Sequence, residues 1–239
     1  MGSNRLSHTD EHVSFIREAV GAGIRHIDTA YLYAGGESET TIGAALSPVP
    51  DDVVVATKGG YQPGEGRPEV LRAQIDESLR RLRSDTIDLY YLHRIHPDTP
   101  LEDSLGTIKE AQDAGKVRHV GISDVTVEEI VQARQVVTIA AVQNHYNLAE
   151  RKYEREVDHC AAEGIVFVPY FPLRPDPPPA LGSIAEHHGA TPNQIVLAWL
   201  LRRSPTMLPI PGTLSLAHAK ENLEALTIEL TDEEVQELV

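Results

Sequence analysis

The chain has 239 residues, 41% of them hydrophobic, and a formal net charge of −15 at neutral pH. That length suits one β/α barrel as well as two ordinary domains, and that apolar share suffices for a sizeable core. The acidic balance argues against a general nucleic-acid or anionic-membrane binder, though not against a local basic pocket.

Helical and strand patterns alternate along the chain. Val13, Phe15, Ile16, Ala19 and Val20 mark a helix over 13–22, stopped by Gly23. A strand over 25–29 follows, then a short helix over 39–46 and a strand over 53–57. Val70, Leu71, Ile75, Leu79 and Leu82 recur at three- and four-residue steps, one face of a helix over 68–83. The run 87–92 is almost continuously apolar, as expected of a strand buried on both faces. Helices over 101–114, 127–134 and 153–163 then alternate with strands over 117–122, 138–142 and 165–169. Helices over 181–188 and 192–203 follow, the second with Pro192 at its first turn. A last strand over 207–210, a helix over 217–225 and a capped helix start at Thr231 complete the pattern.

This rhythm predicts an α/β fold with a parallel sheet covered by helices, in a single domain spanning 1–239. Seven strands can be counted, and a closed barrel needs eight. The missing one belongs before the first helix, so the expectation is a residual N-terminal strand or residues outside this sequence. The stretch from Arg174 to Pro179 is proline-rich and reads as a rigid loop.

One cysteine, Cys160, excludes an internal disulfide and points to a reducing compartment, by default the cytoplasm. No apolar run approaches the ~20 residues of a membrane span. The first residues lack the apolar stretch of a secretory signal. Nothing in the sequence specifies an oligomeric state.

Four side chains sit where successive strands end. Asp28 closes one, Tyr33 lies in the turn after it, Lys58 closes the next and His93 the third. In a barrel all strand C-termini share one rim, so these four converge. An acid, a phenol, an ammonium and an imidazole together suit proton delivery to a carbonyl oxygen. A nearby ammonium favours phenolate, so Lys58 is expected to lower the Tyr33 pKa while Asp28 holds Lys58 charged. His93 is expected to donate a hydrogen bond to the carbonyl. This chemistry requires no metal. Alone, each residue has a plainer role: Lys58 a surface strand end, Asp28 a loop cap, Tyr33 rim packing. Their order on consecutive strand ends is what favours the functional reading.

The surrounding motifs resemble the aldo-keto reductases. GIRHIDTA over 23–30, Tyr33, and Glu37 to Glu39 with Ile42 and Gly43 are similar to that family's first signature. Ala56 to Lys58, Ser78 to Leu82, the strand ending at His93, GKVRHVGIS over 115–123, Val142 to Asn144, Val168 to Tyr170, and Ile210 to Thr213 with Glu221 and Asn222 continue it in order.

The resemblance implies a (β/α)8 TIM barrel, here with its first strand missing or incomplete. It implies a nicotinamide cofactor, NADPH with NADH as the alternative, and reduction of an aldehyde or ketone to an alcohol. The catalytic set then falls on Asp28, Tyr33, Lys58 and His93. Ser123, Asp124 and Gln143 fall at the carboxamide and Tyr170 against the nicotinamide face. Phe171, Pro172, Leu173 and Arg174 fall near the pyrophosphate. Ile210, Gly212, Thr213, His218, Glu221 and Asn222 fall toward the adenosine end. Two positions depart from the family. Asp124 stands where Asn is usual, and Gly212 with His218 offers a weaker 2′-phosphate anchor than Lys and Arg.

Other readings on the same fold are a non-catalytic nucleotide-sensing subunit and a Schiff-base enzyme using Lys58. His187 and His188, at a helix end, read as cations compatible with the helix dipole rather than as metal ligands. Cys160, inside a helix, has no strand end to present it as a nucleophile.

Overall fold

Among the described residues, six parallel strands pair strictly in chain order, β1 (His26–Asp28), β2 (Val54–Gly59), β3 (Ile87–Leu92), β4 (Val117–Ser123), β5 (Ile139–Gln143) and β6 (Val166–Phe167). The computed structural model describes residues 1–173 and 178–239. Arg174 therefore lies outside the described residues, as do 175–177 of the proline-rich stretch. Between the strands run helices α1 (Asp10–Gly21), α2 (Glu37–Leu46), α3 (Pro68–Leu82), α4 (Leu101–Asp113), α5 (Val127–Ala133) and α6 (Glu154–Glu163). After β6 come α7 (Leu181–His187), α8 (Pro192–Arg203), α9 (Leu216–Glu224) and α10 (Asp232–Glu237). None of the described helices is long and apolar enough to cross a membrane.

The eighth and first staves are rudimentary. The expected strand over 207–210 is reduced to a bridge between Met207 and Phe167, with Leu208 donating to the Phe167 carbonyl at 2.9 Å. Pro209 and Pro211 carry no N–H, so a longer ladder lacks its donors. Pro169 similarly follows a β6 shorter than the expected 165–169. The absent first strand is supplied in miniature by residues 1–3. Gly2 bridges both Asp28 and Gly212, and Ser3 N–H donates to the Asp28 carbonyl at 3.0 Å. That contact joins the first and last staves of a (β/α)8 barrel whose strands are incomplete.

Strand residues alternate between the two faces of the sheet. The outward set, including Tyr90, Val120, Ile122 and Val142, joins the main core under the helices. Trp199 and Tyr146 stack there at 5.9 Å. Ala56, Leu89, Tyr91, Ala141, Val168 and Ile210 form a smaller cluster inside the barrel. Continuing these inner rows by two residues reaches Lys58 from Ala56, His93 from Tyr91, Gln143 from Ala141 and Tyr170 from Val168. The period of two thus points the candidate side chains inward at one end.

Candidate active site

Lys58 is fully buried, and its Nζ donates to Asp28 Oδ1 at 2.6 Å and to the Thr29 carbonyl at 2.6 Å. Asp28 is 2% exposed, and its second oxygen accepts from Gln143 Nε2 at 2.8 Å. A buried charge is tolerable only when paired and hydrogen-bonded, and both partners here meet that condition. The ammonium stands 5.3 Å from the centre of the Tyr33 ring and 5.7 Å from that of Tyr91.

Tyr33 opens a short 3-10 turn over Tyr33–Gly36, whose residues Ala34, Gly35 and Gly36 have φ of 49°, 63° and 98°. Left-handed backbone favours glycine. At Gly36 a Cβ would also meet the Arg81 guanidinium at 2.4 Å. Arg81 braces this turn: it donates to the Tyr31 carbonyl at 2.9 Å and pairs with buried Glu39 at 3.1 Å. Glu39 in turn accepts from Thr57 Oγ1 at 2.6 Å, tying the turn to the strand that carries Lys58.

Burial raises the Tyr33 pKa, and the charge and hydrogen bonding of Lys58 pull it down without prevailing. The expectation that Lys58 sets a lowered value is corrected to that extent. The phenol is held protonated. His93 is lowered to about 2, first by burial and then by the charges of Lys58 and Arg94. It is a neutral imidazole whose Nδ1 has no hydrogen-bond partner among the described residues. Its ring lies 6.2 Å from Tyr33 and 4.8 Å from Tyr61.

These groups border a cavity of about 540 Å³. Asp28, Tyr33, His93, Ser123, Asp124, Gln143, Tyr170, Phe171, Pro172, Leu173, Ile210 and Gly212 all line it. Lys58 lies buried behind the lining, at Asp28. Of the residues expected toward the adenosine end, Ile210 and Gly212 reach this cavity, and Thr213, His218, Glu221 and Asn222 are elsewhere. Thr213 and Asn222 line a second, more apolar cavity of about 300 Å³. Glu221 accepts from Thr191 Oγ1 at 2.7 Å, and the His218 N–H is taken by the helix cap Ser215 at 3.4 Å.

Asp124 has φ 55°, a conformation that Asp tolerates better than most residues. Buried Asn144 fixes the loop, donating to the Val125 carbonyl at 2.8 Å and accepting from its N–H at 3.1 Å. Asp124 accepts from the Tyr170 hydroxyl at 2.8 Å and forms an ion pair with Arg94. Tyr170 also stacks on His145, 5.2 Å away and 9° from parallel.

The sequence reading missed Gly2, Ser3, Asn4 and Arg5 as lining residues. The only signal was topological: the stave before α1 must end on the same rim as the others. His145 gave no signal, because its stacking depends on the chain crossing over at Tyr170.

The aldo/keto reductase family profile matches residues 1–175 and 176–239. The chain belongs to that family. It is 38% identical over 242 residues to the pyridoxine 4-dehydrogenase of Escherichia coli, covering 94% of this chain and 85% of that protein. It is 40% identical over 221 residues to an oxidoreductase of Schizosaccharomyces pombe, covering 88% and 72%. Among solved structures, an aldo/keto reductase from Klebsiella pneumoniae in complex with NADP and acetate superposes with a TM-score of 0.89 at 29% identity, covering all of this chain and 88% of that one. Membership makes this aldo/keto reductase an NAD(P)H-dependent oxidoreductase.

Proposed function

We propose that this aldo/keto reductase reduces an aromatic aldehyde to the alcohol with NADPH, through Tyr33, Lys58, Asp28 and His93. One observation carries the assignment of roles. A fully buried Lys58–Asp28 pair lies behind a cavity bordered by a protonated phenol and a neutral imidazole. Such a pair is costly to bury and contributes little as a staple, so a chemical role is the better account of it.

The residues fit a nicotinamide cofactor. Tyr170 gives a flat wall, Ser123 a polar group at the strand end, and Arg5 a cation at the mouth, where it donates to the Gly212 carbonyl at 2.8 Å. His93 Nδ1 is a buried polar atom with no hydrogen-bond partner among the described residues. The NADP bound in the Klebsiella relative supports NADPH. When bound, the cofactor supplies hydride to the carbonyl carbon. Tyr33 then hands its proton to the carbonyl oxygen, and Lys58 stabilises the phenolate left behind. Asp28 keeps Lys58 charged and in place. His93, neutral throughout, orients the carbonyl by a hydrogen bond.

Tyr61, Tyr170 and Phe171 give the cavity aromatic walls. The E. coli relative is named for dehydrogenation of pyridoxine at its 4-substituent, the reverse of an aldehyde reduction. Pyridoxal is therefore the first substrate to test. The four residues at one site disfavour a purely nucleotide-sensing subunit. A single, buried, free cysteine supports the cytoplasm as compartment.

The test is Tyr33→Phe. Aldehyde-dependent NADPH consumption should disappear, while quenching of protein fluorescence by NADPH persists with an unchanged Kd. Turnover retained at the wild-type rate refutes the assignment.

A further inference from the structure

Successive residues on a helix diverge by about 100°, so neighbouring histidines seldom meet at one atom. At the end of α7 they do. His187 Nδ1 lies 2.9 Å from Glu234 Oε1, and His188 Nε2 lies 3.0 Å from the same oxygen and 3.1 Å from Oε2. The two ring centres are 5.1 Å apart. All three donor atoms fall within 4.8 Å of one another. The sequence reading took the two histidines as helix-end cations because Glu234, on α10, is 46 residues further along the chain.

We propose that His187, His188 and Glu234 form a binding site for a zinc-class divalent cation that joins α7 to α10. The donor set is two imidazole nitrogens and one carboxylate oxygen, which with one water makes a four-coordinate Zn²⁺ site. An oxygen-seeking ion such as Mg²⁺ has no comparable claim on it. A tetrahedral ion with bonds of ~2.1 Å sets its donors roughly 3.4 Å apart. Both histidine–carboxylate spacings are already near that value. The remaining adjustment falls on His187, whose side chain is 73% exposed.

The carboxylate is held from behind, as metal ligands usually are. Its Oε2 accepts from the Thr231 N–H at 2.9 Å, while Thr231 Oγ1 accepts from the Glu234 N–H at 3.2 Å. Glu234 is thus oriented by the capping box of α10, which any bound ion would inherit. His188 is half-buried and Glu234 largely covered, so two ligands are preset and the third closes from solvent. Binding takes both imidazoles in their neutral form.

The experiment is calorimetric titration of the full metal-free chain with ZnCl₂, alongside thermal melts with and without the ion. One equivalent should bind, and Tm should rise by roughly 5–10 °C at Zn²⁺ a hundredfold above Kd. His187→Gln, on an exposed ring, should weaken binding at least tenfold and leave the metal-free Tm unchanged. His188→Gln should do the same to binding. MgCl₂ should give neither heat nor shift. Absence of Zn²⁺ binding overturns the proposal. So does wild-type affinity in both variants, which would place the ion on other surface histidines.

Discussion

Replacing Lys58 by Met removes a fully buried cation that stands 5.3 Å from the Tyr33 ring centre and leaves a side chain of similar length. Two losses follow, and they are separable. The first is stability. Asp28 keeps Gln143 as a donor at 2.8 Å but loses its counter-ion in a site where it is 2% exposed. Breaking a buried pair in this way costs about 3–5 kcal/mol, or roughly 6–20 °C in Tm for a chain of this size. The second loss is in the rate. A unit charge 5.3 Å from the ring centre, at an effective dielectric of ~20, is worth about 3 kcal/mol to a full phenolate. With half the charge developed in the transition state, about half of that is lost. The expected fall in kcat is therefore roughly tenfold, with about two-hundred-fold as the ceiling for a fully developed charge. Steady-state NADPH oxidation with pyridoxal, at a temperature where circular dichroism shows the variant folded, measures it. A folded Lys58→Met enzyme with kcat within threefold of wild type would refute the electrostatic argument. A large fall in kcat with NADPH affinity intact would support it.

Acid should destabilise the protein earlier than its carboxylates alone dictate. His93 is lowered to about 2 and His26 to about 4, each chiefly by burial, against an ordinary value of 6.5. The unfolded chain then binds more protons than the native one below pH 6.5. Stability is complete above that pH and falls as pH drops toward 4, by roughly 1.4 kcal/mol per group per pH unit. Denaturant midpoints at pH 7 and 5 check this, and equal stabilities would show that the native imidazoles are not kept neutral. At Gly121 a Cβ would meet the Tyr91 ring at 2.4 Å and the Ala141 carbonyl at 3.0 Å. Gly121→Ala should cost ~1–3 kcal/mol and lower kcat, because the Tyr91 ring that must shift lies 5.7 Å from Lys58 Nζ. A melt and a rate measurement unchanged from wild type would contradict it.

Where the sequence was legible, a period decided it. Leu71, Ile75 and Leu82 marked the buried face of α3, and the structure runs that helix over Pro68–Leu82. Lys58 and His93 were legible by position instead, at strand ends that share one rim, and the structure sets both on the inner row of β2 and β3. The failures have a different cause. Residues 1–3 act as a stave only because Asp28 and Gly212 lie on either side, and no local pattern in three residues encodes that. The strand expected over 207–210 fails because hydropathy ignores hydrogen-bond donors, and Pro209 has none. The Tyr33 pKa moved against expectation because a sequence names the nearby cation but not the depth of burial. Arg5 and His145 enter the site through the closure of the barrel, a property of the whole ring of strands.

Asp124 illustrates how a departure from a family pattern can be read through its neighbours. Considered alone, a carboxylate in place of an amide loses a donor. In the structure both groups that reach it are donors: the Tyr170 hydroxyl at 2.8 Å and the Arg94 guanidinium. Burial keeps the Tyr170 phenol protonated, so it can donate. An Asn at this position would offer one acceptor and turn an NH₂ toward a cation. The carboxylate therefore straps together the loops after β3, β4 and β6, and it fixes the ring that forms the flat wall of the cavity. Asp124→Asn should then release Tyr170 and leave Arg94 without its counter-ion. The KM for NADPH should rise severalfold as the wall loosens, with kcat changed less, because Tyr33 and Lys58 are untouched. Aldehydes bearing a carboxylate should gain in kcat/KM relative to neutral ones, since Arg94 becomes available to them. Comparing a benzaldehyde with its carboxy-substituted analogue in both enzymes measures that shift. An unchanged preference together with an unchanged KM for NADPH would mean that Asp124 neither holds Tyr170 nor masks Arg94.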